Sequence, residues 1–228
     1  MILIFDLDDT LYDERSYVES GLRAVARWVQ EKFGWDQAIS FHFMVEVLES
    51  EGRGQIFDRW LHSHGIKRRG LVADCVNHYR HHEPAINLPD SHHAILNRLG
   101  QQYSLYLVTD GHKVVQEKKV QALKIKPFFR RILITHRFGI ANAKPSRYCF
   151  ELIRKAEQCD WAEMVYIGDN PAKDFVNLNV VRMPTVRVLT GVHSEVVGGL
   201  GYEAAHHIPD LSHLEPLVQS ILVQGHNE

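Results

Sequence analysis

A chain of 228 residues, 45% apolar and 24% charged, can build one good core, or a core with a smaller module, and has the composition of an ordinary globular protein. A formal charge of −2 gives no electrostatic case for nucleic acid or an anionic membrane as partner, and no stretch approaches the length of a membrane span. The opening apolar run is too short for a signal peptide and lacks a basic start, and Cys75, Cys149 and Cys159 are odd in number with no metal-ligand spacing, so the expectation is free thiols in the cytoplasm.

Met1-Ile2-Leu3-Ile4-Phe5 is a β-favouring run, apolar enough to be a strand buried on both faces. It ends in Asp6-Leu7-Asp8-Asp9-Thr10, where the strand leaves the sheet. In open α/β sheets that end of a strand faces the ligand crevice. On a continuing strand Asp6 and Asp8 share one face. Two such carboxylates resist joint ionisation, and a fold accepts that when a cation or a reaction needs both. Taken alone the stretch reads equally as a turn or a helix N-cap.

Residues 14–33 are helical in pattern, with Tyr17, Leu22, Val25, Trp28, Val29 and Phe33 as the apolar stripe and Gly34 as the stop. Asp36 caps a second expected helix with Ile39, Phe43, Val47 and Leu48 as its buried face, broken at Gly52 and Gly54. Ile56, Trp60 and Leu61 mark a third helix, ended near Gly65, and Leu71, Val72, Cys75, Val76 and Tyr79 a fourth. About seventy residues are therefore expected to be all-helical, with 84–89 as the return linker. From Asp90 the pattern alternates: helix 90–101, strand 105–108, helix 112–124 (Val115, Val120, Leu123), strand 132–134, helix 146–157, strand 164–167, a short helix 172–180, strand 186–188, and a closing strand stub and helix over 208–223. That alternation predicts a parallel sheet containing the first strand, with the helical block inserted into it and free to hinge over the strand ends. The 15 histidines include His81-His82, His92-His93 and His206-His207, and His62 lies near His64; none has metal-helix spacing, and they are expected at the surface.

Three later stretches fall where strands finish. Thr109-Asp110-Gly111 offers a hydroxyl and free backbone N–H groups as an anion cradle, or is a capped turn. Lys144-Pro145 places a lysine in the loop after residue 135; by itself such a lysine is usually solvated. Gly168-Asp169-Asn170-Pro171-Ala172-Lys173-Asp174 carries two carboxylates five apart, or is an Asp-Asn-Pro turn. Taken with the first stretch, Asp6, Asp8 and Asp169 are expected to converge on one crevice. Carboxylates so gathered need positive charge, and few hard oxygen ligands suit Mg²⁺ with a substrate phosphate; Thr109 and Lys144 would make the remaining phosphate contacts.

These four stretches, in order and spanning nearly the whole chain, resemble the four motifs of the haloacid dehalogenase superfamily: Asp6-Leu7-Asp8-Asp9-Thr10 the first, Thr109-Asp110-Gly111 the second, Lys144-Pro145 the third, and Gly168-Asp169 through Asp174 the fourth. The inserted helices are similar to the helical cap of its phosphatase-rich branch. The resemblance implies a Rossmann-like three-layer core from residues 1–13 and 88–228 and a cap from 14–87. It also implies that Asp6 is the nucleophile, forming an aspartyl-phosphate, and Asp8 the general acid and then base. Mg²⁺ would be held by the Asp6 carboxylate, the Asp8 carbonyl and Asp169, with Asp174 supporting that shell and Lys144 orienting Asp6. A dehalogenase of the family has no leaving alcohol to protonate and keeps no Asp at the place of Asp8, so the implied activity is hydrolysis of a small phosphate monoester. Sugar phosphates and nucleoside monophosphates are the substrate classes expected; Arg15, Arg53 and Arg59 are either cap residues facing the substrate or solvated charges. A phosphomutase on the same core, or a non-catalytic metabolite-binding module, are the rival readings. The chain departs from the pattern at Asn177-Leu178 and Val181-Arg182, where relatives often have Gly-Ala and Ala-Gly. Oligomeric state is not legible in the sequence.

Overall fold

The computed structural model describes residues 1–66 and 69–225; Lys67 and Arg68, inside the expected span 14–87, and residues 226–228 lie outside the described residues. The chain divides into two compact units, Met1–Glu14 with Asn87–Glu228, and Arg15–Ile86.

The first unit is built on a six-stranded sheet: β1 (Ile2–Phe5), β2 (Ser104–Thr109), β3 (Arg131–Ile134), β4 (Met164–Gly168), β5 (Thr185–Val188) and β6 (His206–Ile208), in the order β3-β2-β1-β4-β5-β6. Every pairing is parallel. The opening run is central because all four of its side chains are apolar and can be covered on both faces. Ile2 and Ile4 pack with Tyr106, Val108, Leu133, Phe150 and Ile153, while the alternate residues Leu3 and Phe5 are fully buried on the other side. The register sets Phe5 opposite both Leu107 and Ile167, so β1, β2 and β4 finish side by side. Asp6, Thr109 and Asp169 thus stand at adjacent strand ends.

The second unit holds α2 to α4 and all but the first residue of α1: α1 (Glu14–Phe33), α2 (Gln37–Glu51), α3 (Ile56–Ser63) and α4 (Arg69–His81). Val18, Leu22, Val25, Ala26 and Val29 run down one side of α1 and share a core with Met44, Trp60, Leu71 and Cys75. Gly21 lets Tyr79 pack close: a Cβ at that position would collide with the Tyr79 ring, which would have to move. The remaining helices belong to the first unit: α5 (Asp90–Gly100), α6 (Lys113–Ala122), α7 (Tyr148–Glu157), α8 (Val176–Val180) and α9 (Leu214–Gly225). No helix among the described residues is long and apolar enough to cross a membrane.

Several local expectations are corrected. The first strand stops at Phe5, so Asp6 and Asp8 do not share a strand face, and Asp8 instead forms a bridge with Tyr12. The buried face of α2 is Ser40, Phe41, Met44 and Val47, and Ile39 is 70% exposed. Phe33 is exposed at the end of α1, where it stacks on Trp35. His82 is buried against Tyr17, with its ring nitrogens on Tyr79 O and Ser20 Oγ at 2.6 and 3.1 Å. The helix after β4 begins at Val176, four residues later than expected. It still packs, with Leu178 in the core, and Arg182 takes the left-handed backbone (φ 58°), a conformation that favours glycine. Arg15 bonds Glu19 in a half-buried pair and Glu49 in an exposed one, and Arg59 bonds Glu51 in an exposed pair, all within the helical unit.

Candidate active site

The loop after β1 begins with Asp6, whose backbone N–H donates to Ile167 O at 2.8 Å and so ties the turn to β4. Its carboxylate is 2.8 Å from Lys144 Nζ, and the same ammonium is 2.8 Å from Asp174 Oδ1. Lys144 also donates to the Tyr166 hydroxyl at 2.8 Å, and that hydroxyl donates to Asp174 Oδ1 at 3.2 Å. Asp174 Oδ2 accepts from the Asn170 N–H at 2.9 Å, which fixes the turn between β4 and α8. All four side chains are buried.

Asp169 completes an acidic group. Oxygens of Asp6, Asp169 and Asp174 lie within 4.8 Å of one another, and all three residues are buried. Burial, opposed by Lys144, lifts the Asp6 carboxyl to about 6. Burial together with the Asp6 and Asp174 charges lifts Asp169 to about 9. Burial acts the same way on Asp174, but Lys144 outweighs it and holds that carboxyl below its ordinary range. Burial opposes the Lys144 charge, yet Asp174 and Asp6 raise it well above the usual lysine value. Three carboxylates against the Lys144 ammonium and the nearby charge of Lys173 leave negative charge that another cation would neutralise. The hard oxygen donors fit a small divalent ion.

Asp8 stands apart from that group. Its Oδ1 accepts from the Tyr12 hydroxyl at 2.7 Å and from Lys119 Nζ at 2.7 Å; its Oδ2 accepts from Gln116 Nε2 at 2.9 Å. Lys119 reaches Glu14 at 3.0 Å as well. Thr109, the last residue of β2, is fully buried, and its Oγ1 accepts from the same Gln116 nitrogen at 2.6 Å. The Asp110 carboxylate takes the Thr135 hydroxyl and, at 3.0 Å, the Lys144 N–H, so the loop bearing Lys144 is tied to the end of β2. Gly111 has φ 137°, and a Cβ there would press on Gln116 at 3.3 Å. Asp9 adopts φ 54° and accepts from Glu14 N and Val192 N at 2.9 and 3.3 Å, which fastens the loop after β5 to the turn after β1.

Gln116, Lys119, Tyr12, Tyr166 and Asp9 were not singled out by sequence reasoning. The available signal was only that Gln116 and Lys119 lie three apart in a helix directly following Thr109-Asp110-Gly111; that they face inward is seen in the fold.

The family model described as haloacid dehalogenase-like hydrolase matches residues 3–177, a span that includes every strand-end residue named above. The chain belongs to this family. Its haloacid dehalogenase-like relatives include the glyceraldehyde 3-phosphate phosphatase of Methanocaldococcus jannaschii, 26% identical over 200 residues that cover 85% of this chain and 87% of the relative. The enzyme of the same name from Methanopyrus kandleri is 28% identical over 203 residues, covering 85% and 86%. Among solved structures, the putative hydrolase YfnB of Bacillus subtilis, determined bound to magnesium, superposes with a TM-score of 0.69 at 18% identity, over 95% of this chain and 97% of that one. The L-2-haloacid dehalogenase of Xanthobacter autotrophicus, determined with chloropropionic acid covalently bound, gives 0.57 at 14% identity, over 96% and 99%. These two likenesses concern the fold.

Proposed function

We propose that this hydrolase cleaves a small phosphate monoester of the sugar-phosphate class, carrying the phosphoryl group on Asp6. The observation that supports it most is the separation of two carboxylates in one turn. Asp6 is paired with a buried lysine at the end of the central strand, while Asp8 is held by its own donors. A nucleophile and an acid–base group need such separate settings.

An Asp6 carboxylate oxygen attacks phosphorus as the bond to the substrate oxygen breaks. The leaving oxygen takes the Asp8 proton and departs as an alcohol. Asp8 then takes a proton from water, the water oxygen attacks phosphorus, and the bond to Asp6 breaks. Phosphate leaves, and both groups return to their starting forms. The Thr109 hydroxyl, the N–H groups of Asp110 and Gly111, and Lys144 would bind phosphate oxygens. Mg²⁺ would be held by the Asp6 and Asp169 carboxylates and the Asp8 carbonyl, with Asp174 behind them, and would supply charge to the phosphoryl oxygens. Asp8 supports an ester with a leaving alcohol over a carbon–halogen bond. The relatives named glyceraldehyde 3-phosphate phosphatase support the sugar-phosphate class.

Strand-end groups read only the phosphate, so the helical unit is assigned the role of a cap that selects the rest of the substrate. The three free cysteines, two of them buried, suit a reducing cytoplasm. The test is phosphate release from glyceraldehyde 3-phosphate, other sugar phosphates and nucleoside monophosphates. Release with Mg²⁺ that stops in EDTA is expected. No release from any of them with Mg²⁺ present would contradict the reading.

A further inference from the structure

Gln116 and Lys119 are among the least exposed polar residues of the chain, at 1% and 2%, and they lie one turn apart on α6. Burying an amide and an ammonium is unfavourable unless each is satisfied. Both are satisfied on the residues around Asp8. The Gln116 NH₂ group donates to Asp8 Oδ2 at 2.9 Å, and the opposite orientation would set two oxygens against each other whenever Asp8 is ionised. The two hydrogens of that nitrogen serve two acceptors, Asp8 Oδ2 and, at 2.6 Å, Thr109 Oγ1. The Thr109 hydroxyl then has its own hydrogen left to give to an anion. Lys119 fixes the other Asp8 oxygen at 2.7 Å.

We propose that Gln116, braced by Lys119, is a positioning residue that locks the Asp8 carboxylate and the Thr109 hydroxyl into one arrangement through a single amide nitrogen. The proposal rests on the phosphatase reading and deepens it. An acid–base group must meet the leaving oxygen, and the hydroxyl must meet the phosphate attached to it, so their spacing matters to the reaction more than either position alone. Gly111 serves the same arrangement, since any side chain there would push on Gln116.

The experiment measures kcat and KM of wild type, Gln116→Leu, Asp8→Asn and the double variant on glyceraldehyde 3-phosphate and p-nitrophenyl phosphate. Thermal unfolding and circular dichroism of each are recorded. Gln116→Leu is expected to lower kcat about tenfold or more on the alkyl ester, with KM changed less than about threefold. The loss should be smaller on the aryl ester, whose leaving oxygen needs no proton. In the Asp8→Asn background the same substitution should change kcat by less than about twofold. Lys119→Met should repeat the leaving-group dependence; if it does not fold, the Gln116 cycle stands without it. An equal loss with and without Asp8, or an equal loss on both esters, would overturn the proposal. Wild type inactive on both esters would instead overturn the phosphatase reading, and this proposal with it.

Discussion

Two polar clusters lie a few residues apart in the chain and are built on opposite principles. Around Asp6, three buried carboxylates crowd about the Lys144 ammonium, with Lys173 adding charge nearby, and two carboxyl groups are forced up to about 6 and about 9. Around Asp8, the carboxylate meets a hydroxyl, an amide and an ammonium, so donors cover both of its oxygens. The first cluster gathers more acidic groups than basic partners; in the second, one carboxyl group has a donor on each oxygen. The difference matches the proposed roles, in which one would receive a metal and a phosphoryl group and the other would hold Asp8 in place.

The comparison breaks most visibly at Lys144. Lys144→Met leaves Asp6 and Asp174 buried without their counter-charge. Activity should fall by about a thousandfold or more, and urea unfolding should show a loss of about 3–5 kcal/mol. An active, equally stable variant would mean that the first cluster needs no lysine. Saturating Mg²⁺ should raise the unfolding temperature, by the equivalent of about 3 kcal/mol at a hundredfold excess over its dissociation constant. Asp169→Asn should abolish that shift, whereas Gln116→Leu should retain it. A shift lost equally in both would merge the two clusters into one.

Two smaller effects test the scaffolding. Gly21→Ala forces the Tyr79 ring aside within the helical unit and should cost about 1–3 kcal/mol, read by urea unfolding. Turnover of p-nitrophenyl phosphate per folded molecule should stay within about twofold, and a larger fall would show that this packing reaches the chemistry. Away from both clusters, burial acts to raise the Glu203 carboxyl, but His207, the Gly198 N–H and Arg187 together hold it at about 2. Because the folded value is the lower one, this stability is present above pH 4.5 and is lost as pH falls toward 2. Glu203→Gln should flatten that acid limb by about 1 kcal/mol after solvent screening.

Much of this was legible because strand ends carry their own punctuation. Apolar runs at 2–5, 105–108 and 164–167 stop at Asp6, Thr109 and Asp169, and a parallel sheet brings such ends together. The cluster around Asp8 was harder. A glutamine and a lysine inside a helix with several other polar residues look solvated until the sheet shows which side is covered. Tyr166 was hidden in an apolar run, its hydroxyl meaning nothing until Lys144 arrived from another loop. The face of α2 was misread because Ile39, Phe41, Phe43, Met44, Val45, Val47 and Leu48 are apolar nearly all round, so the pattern carries no phase. Tertiary packing chose Phe41 and Met44 over Ile39.

The claim beneath all of this is that Asp6 carries the phosphoryl group. Protein acid-quenched during turnover of p-nitrophenyl phosphate with Mg²⁺, digested and fragmented in a mass spectrometer, reads it directly. The predicted result is a phosphoryl group on Asp6 within the peptide Met1–Arg15, absent from Asp6→Asn. The same label on Asp8, on Asp169, or retained by active Asp6→Asn protein would contradict the account.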